Sequence, residues 1–234
     1  MGQVAIITGA SSGIGRCLSI DLAEIGYRVI LVARSTEKLQ KLSDEIRAKG
    51  GGCLTIPADI AIPSEIEKIR RQANSYGDVS LVINNAGVGN FNKIEDVTLE
   101  DWNHQIDINL RGSFLVSQAF IPNMKKLNEG RLVFINSVAG KQAYPYSSVY
   151  VSSKHALRGL ADSFREELRE DNIKVISIYP GAINTPFWNS IGTDFPKSEM
   201  LKVENVSKTI INAIEAPENC TVEEIVVRRT KGDF

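Results

Sequence analysis

The stretch YVSSK, residues 150–154, sets a tyrosine and a lysine four positions apart. On a helix that spacing brings Tyr150 and Lys154 to one face, as either a proton-delivery device or a solvated surface couple. A tyrosine titrates near 10, so acid–base work at neutral pH asks for a shift of about three units, or about 4 kcal/mol. One ammonium about 4 Å away contributes about 4 kcal/mol at an effective dielectric near 20, which covers much of that shift. Ser137, thirteen residues upstream, could hold a carbonyl oxygen while Tyr150 gives or takes its proton. Without further motifs, a turn-forming serine beside a surface couple is the plainer account.

A second chemical feature is TGASSGIG, residues 8–15, which follows an apolar run. It places Gly9, Gly13 and Gly15 where the chain must turn sharply into a helix. Backbone amides and the helix dipole there suit a pyrophosphate. The spacing departs from G-x-G-x-x-G, and a strand-to-helix turn without a ligand stays open. GASSG also fits G-x-S-x-G, which would make Ser11 a hydrolase nucleophile. Against that, the turn follows the first strand, so no earlier strand loop supplies an oxyanion hole, and only His104 and His155 could act as base. No G-K-[ST] follows, so a phosphate-loop hydrolase is unsupported.

These residues need a scaffold to position them. Apolar runs QVAIIT, RVILVA, CLTIPAD, VSLVINN, RLVFIN, IKVISIYP and EEIVVRR alternate with longer helical patterns. Their unbroken Val, Ile and Leu content predicts seven strands covered on both faces. The intervening stretches are amphipathic, as in STEKLQKLSDEIRAKG, with Ser35 as cap and the glycines at 50–52 as stop. The rhythm predicts an α/β fold: a doubly wound seven-stranded parallel sheet with helices on both faces, Rossmann-like, in one domain over residues 1–234. The least regular segment, about 185–203, is read as the substrate side.

In such sheets ligands gather beyond the carboxyl ends of the strands. The second strand ends at Arg34, where an NAD site would carry an acid. A guanidinium suits a 2′-phosphate instead and points to NADP, with an ordinary arginine at a helix entrance as the alternative. Further strand ends carry Asp59, NNAG at 84–87, Ser137 and PGAINT at 180–185. Turn chemistry explains any one of these; their agreement along the chain is harder to set aside.

Composition narrows the classes. A hydrophobic fraction of 43% over 234 residues supports one sizeable core. The 27 basic and 28 acidic side chains leave a net charge of −1 without a basic block, so neither nucleic acid nor an anionic membrane is an expected partner. Cys17, Cys53 and Cys220 lack C-x-x-C spacing, which argues against disulfides and a thiolate metal site and predicts no metal and a reducing, cytoplasmic setting. The amino-terminal segment lacks a positive n-region and reads as a first strand rather than a signal peptide.

Together these motifs resemble those of the short-chain dehydrogenase/reductase family, from residue 3 to about 185. TGASSGIG is similar to its cofactor turn, NNAG to its motif after the fourth strand, NSVAG to its catalytic-serine segment, YVSSK to its Y-x-x-x-K and PG to its motif after the sixth strand. The resemblance implies that Tyr150 is the general acid–base, that Lys154 holds the nicotinamide ribose and lowers the tyrosine pKa, and that Ser137 polarises the carbonyl. It implies that Asn109, in DINLRG, supports a proton-relay water through a helix irregularity. Gly9, Ser11, Ser12, Gly13, Ile14 and Gly15 match the pyrophosphate turn, Asp59 and Ile60 the adenine side, and Asn85, Ala86 and Gly87 the adenosine ribose. Ile183 and Thr185, beside Pro180 and Gly181, match positions near the nicotinamide amide. Arg34 matches a position that commonly marks NADP(H).

The expectation is hydride transfer between NADP(H) and a carbonyl/alcohol pair, reducing a small apolar or aromatic ketone, aldehyde or diketone. Tyr144, Tyr146, Phe187 and Trp188 fall in segments flanking the site. A homodimer or homotetramer through residues 111–126 and 149–171 is implied by the resemblance. Two alternatives remain. One is a 3-ketoacyl-carrier-protein reductase, from which the ending EEIVVRRTKGDF departs. The other is a non-catalytic NADPH-binding regulator, against which the full set of Ser137, Tyr150, Lys154 and Asn109 argues.

Overall fold

Seven strands form where the apolar runs predict them: β1 (Val4–Thr8), β2 (Arg28–Ala33), β3 (Cys53–Pro57), β4 (Val79–Asn84), β5 (Gly130–Ile135), β6 (Ile173–Pro180) and β7 (Glu224–Val227). The computed structural model describes residues 2–190 and 196–232. All strand pairs are parallel, in the order β3-β2-β1-β4-β5-β6-β7. The order reverses between β1 and β4, so a crevice opens above their carboxyl ends.

Helices cover both faces: α1 (Gly13–Glu24), α2 (Thr36–Ala48) and α7 (Val203–Ile214) on one, α3 (Pro63–Tyr76), α5 (Ser113–Leu127) and α6 (Ser148–Glu167) on the other. Period-two alternation divides each strand between them. Ile7 packs in the core cluster that holds Leu18, Leu39 and Ile210, while Ile6 packs in the one that holds Ile69, Phe120 and Leu157. This explains the unbroken apolar runs, because both faces of a central parallel strand are covered. Ser35 caps α2 as expected, accepting from the Lys38 N–H at 3.4 Å.

A short helix α4 (Leu99–Ile106) continues into α5 through a π-helical turn, Asp107–Gly112. Such widened turns gather at functional sites, and Asn109 lies within this one. Between β6 and α7 the chain makes 3₁₀ turns at Pro186–Ser190 and Lys197–Glu199. Residues 191–195 of the expected substrate-side segment lie outside the described residues.

Candidate active site

The strand ends open on a cavity of ≈ 1190 Å³, larger than the roughly 300–1,000 Å³ of ordinary small-molecule pockets. Gly9, Ser11, Ser12, Gly13 and Ile14 line it beside the start of α1. Gly9 and Gly13 have φ of 64° and 52°, which favours glycine at both. Ser12 occupies the N-cap position without a side-chain cap bond, so the leading amides of α1 are left available to an anion in the cavity. This start fits the pyrophosphate of a dinucleotide.

Gly15 does not line the cavity. It lies beneath the turn, where a Cβ would come within 2.4 Å of Asn85 Nδ2 and 2.5 Å of Gly9 O. Its role is close packing. Asn85 lines the cavity with Ala86 and Gly87, yet its amide is engaged behind the turn, donating to Thr8 O at 2.8 Å and Gly9 O at 3.2 Å.

Arg34, Asp59 and Ile60 line the end of the cavity beyond β2 and β3, joined by Ser35 and Lys38. The Arg34 guanidinium is largely exposed and 4.0 Å from the Asp59 carboxylate, which leaves it free to turn toward an anion. Sequence reasoning missed Lys38; its position one turn into α2 places it beside Arg34 once Ser35 is recognised as the cap. Pro180, Gly181, Ile183 and Thr185 form the wall beyond β6.

Ser137, Tyr150 and Lys154 share the wall above β5. Ser137 opens a 3₁₀ turn, its Oγ accepting from the Ala139 N–H at 3.1 Å. Lys154 is 4% exposed; its Nζ donates to Ile135 O at 3.0 Å and lies 5.8 Å from the Tyr150 ring centroid. Burial pulls the Lys154 pKa down to about 8. Burial also pushes Tyr150 up to about 12, with a hydrogen bond from Ser137 acting in the other direction. The expected fall in the tyrosine pKa is therefore not found within the polypeptide itself. Loss of solvation outweighs the serine bond, and the nearby lysine is directed at a backbone carbonyl. A phenol held high is protonated at neutral pH and suited to donating a proton.

Asn109 is fully buried and stands behind the cavity rather than in it. Its amide donates to Ser153 Oγ at 3.0 Å and to Val88 O at 2.9 Å. Ser153 in turn donates to Tyr150 O at 2.8 Å, which ties the helix irregularity to α6. Ser153 stands inside YVSSK and was legible only as filler. Asn136, next to Ser137, was likewise missed; its side chain donates to Lys154 O at 3.1 Å and accepts from the Ser137 N–H at 2.9 Å.

Aromatic rings complete the site. Tyr144, Tyr146, Phe187 and Trp188 line the cavity as their segments suggested, and Phe91 joins them from the loop after β4. The Tyr150 ring lies 5.5 Å from Phe91 and 5.9 Å from Phe187, centroid to centroid. Ser11 lacks a hydrolase partner, since neither His104 nor His155 lines the cavity.

The family model described as short chain dehydrogenase matches residues 3–195. The chain belongs to the short-chain dehydrogenase/reductase family. Among the relatives of this short-chain oxidoreductase, a sepiapterin reductase of Chlorobaculum tepidum is 33% identical, with 100% of this chain and 99% of the relative covered. An uncharacterized oxidoreductase of Staphylococcus epidermidis is 30% identical over 97% of this chain and 96% of its own. Of solved structures, an alcohol dehydrogenase from the archaeon Thermococcus sibiricus, complexed with 5-hydroxy-NADP, superposes with a TM-score of 0.91 at 30% identity, covering 98% and 97% of the two chains. A serine dehydrogenase complexed with NADP+ gives 0.89 at 26% identity, covering 96% and 94%.

Proposed function

We propose that the protein is an NADPH-dependent carbonyl reductase acting on small apolar or aromatic ketones, aldehydes or diketones. The observation that carries the reading is the convergence of Ser137, Tyr150 and Lys154 on one wall of the cavity. When bound, the nicotinamide supplies the hydride. Ser137 holds the carbonyl oxygen, and Tyr150 gives that oxygen its proton as negative charge develops there. Lys154, charged at neutral pH despite burial, favours the phenolate that Tyr150 leaves behind and is placed to hold the ribose hydroxyls.

The preference for NADPH rests on Arg34 and Lys38 at the far end of the cavity and on the NADP ligands of the structural neighbours. Arg34→Glu is expected to raise the KM for NADPH by about 10- to 100-fold while leaving that for NADH within a few-fold. Equal effects on both cofactors would contradict the preference. The catalytic reading is tested by Tyr150→Phe, which should bind NADPH with unchanged affinity in a fluorescence titration and lose turnover; a wild-type rate would remove the assignment. Sepiapterin belongs among the trial substrates because of the relative bearing that name. The working assembly is proposed to be a cytoplasmic homodimer or homotetramer through residues 111–126 and 149–171, which sedimentation would check.

A further inference from the structure

The loop between β4 and α4 is held by a pattern that neither the glycine turn nor the catalytic wall requires. Asp101, Gln105 and Asn109 occupy successive fourth positions along α4 and the π turn, and so form one column on one face. Each member grips the loop. Asn109 accepts from the Val88 N–H at 2.8 Å and donates to the Val88 carbonyl at 2.9 Å. Gln105 repeats the two-bond pairing on Asn90, accepting from its N–H at 3.2 Å and donating to its carbonyl at 3.4 Å. Asp101 accepts from the Asn90 side-chain amide at 2.7 Å.

Val88 and Asn90 are alternate residues, so the two amide side chains imitate the ladder of a neighbouring strand. Gln105 is 1% exposed, and an amide so buried is costly unless both of its ends are bonded. Gly89 and Phe91, the residues in alternation with the gripped pair, line the cavity. Phe91 stands 5.5 Å from the Tyr150 ring and Phe187 stands 5.9 Å from it, centroid to centroid. A Cβ on Gly89 would come within 2.7 Å of Phe187 Cζ and 3.1 Å of Phe91 Cε2, so Gly89 lies in close contact with both rings.

We propose that Gln105 and Asp101 are positioning residues that fix Phe91 relative to Phe187 and so define a slot beside Tyr150 for a flat aryl ring adjoining the reacting carbonyl. The proposal rests on the carbonyl-reductase reading. Aryl ketones and aryl diketones gain ring contacts in the slot. Short aliphatic carbonyls make no such contacts and depend on Ser137 and Tyr150 alone.

Gln105→Leu in the full-length protein removes the pairing to Asn90. The KM for 1-phenyl-1,2-propanedione is expected to rise about tenfold or more, while kcat/KM for 2,3-butanedione stays within about twofold and NADPH binding holds. Gln105→Glu keeps the acceptor for the Asn90 N–H and should recover part of the loss. Asp101→Ala removes only the bond to the Asn90 side-chain amide and should show the same split to a smaller degree, which keeps the test available if Gln105→Leu does not fold. An equal fall for both substrates, or no change for either, overturns the proposal. Amide hydrogen exchange on the same proteins needs no substrate: Gln105→Leu should unprotect the Asn90 N–H and spare that of Val88. Unchanged Asn90 exchange overturns the column even if the wild type reduces no carbonyl, a result that would instead remove the reductase reading.

Discussion

Two tyrosine–lysine couples lie along the same end of the sheet. In one, Tyr150 on α6 faces the cavity, with Lys154 Nζ 5.8 Å from its ring. In the other, Tyr179 on β6 is fully buried beneath Lys141, whose Nζ is 4.2 Å from the ring. The second couple is the closer, yet its tyrosine hydroxyl donates to Glu224 Oε1 at 2.9 Å, and Lys141 pairs with the same carboxylate at 2.6 Å. Burial and the Glu224 bond both push the Tyr179 pKa up, because a phenolate there would face a carboxylate. Tyr150 is raised by burial alone, and its partner is the Ser137 hydroxyl. A lysine near a tyrosine does not make a proton donor. What separates the two couples is a hydroxyl free of carboxylates and open to a ligand.

The largest expected effect comes from turning the first couple into the second. Ser137→Asp places a carboxylate beside Tyr150 and removes the hydroxyl proposed to hold the carbonyl, and should lower kcat/KM for the proposed diketone reduction by about 10³-fold or more. Tyr179→Phe should leave kcat/KM within about twofold, since its hydroxyl is bonded to Glu224 and Ser177 rather than turned to the cavity. Steady-state NADPH oxidation reads both.

Next come the two lysines. Lys154→Met should cost about 100-fold in kcat, whereas Lys141→Met should cost little. The stability consequence runs the other way. Lys154 titrates near 8 in the folded protein against 10.5 in the reference state, so between those pH values the unfolded chain binds more protons and wild-type stability rises with pH. Below pH 8 the buried charge is a burden, and Lys154→Met should be more stable by about 2 kcal/mol in denaturant titration at pH 7. That advantage should shrink from pH 8 to 10.5.

The smallest effect concerns the structural couple. Burial pushes the Glu224 carboxyl up, but hydrogen bonds from Lys141 and Tyr179 and the neighbouring cations hold it below the usual range. Its contribution is present above about pH 4.5 and is lost as the pH falls through the lowered value. Glu224→Gln should therefore cost about 1 kcal/mol at pH 7 and nothing in strong acid, as chemical denaturation at the two pH values would show.

The sheet was legible because parallel strands covered on both faces leave continuous apolar runs; RVILVA and IKVISIYP coincide with β2 and β6 residue for residue. The glycine turn and the strand-end polar residues were legible because turns into a helix restrict residue type. The helix irregularity at Asn109 was visible only through family resemblance, since a π turn has no compositional signature in DINLRG. Helical spacing placed Tyr150 and Lys154 on one face but said nothing of burial depth, and burial is what reverses the expected direction of the Tyr150 shift. Phe91 and Gln105 were out of reach for another reason: a loop pairing to buried amides on a helix depends on long-range register, which no local pattern records.

The proposed activity is carbonyl reduction at the Tyr150 wall. It is tested most directly by mixing the wild-type protein with NADPH and, in turn, 2,3-butanedione, 1-phenyl-1,2-propanedione and sepiapterin, and measuring both cofactor lost and alcohol formed. Stoichiometric loss of NADPH and appearance of alcohol are expected with at least one of these carbonyls, slower with NADH. Tight NADPH binding with no consumption against any of them would contradict it and leave a cofactor-binding regulator in its place.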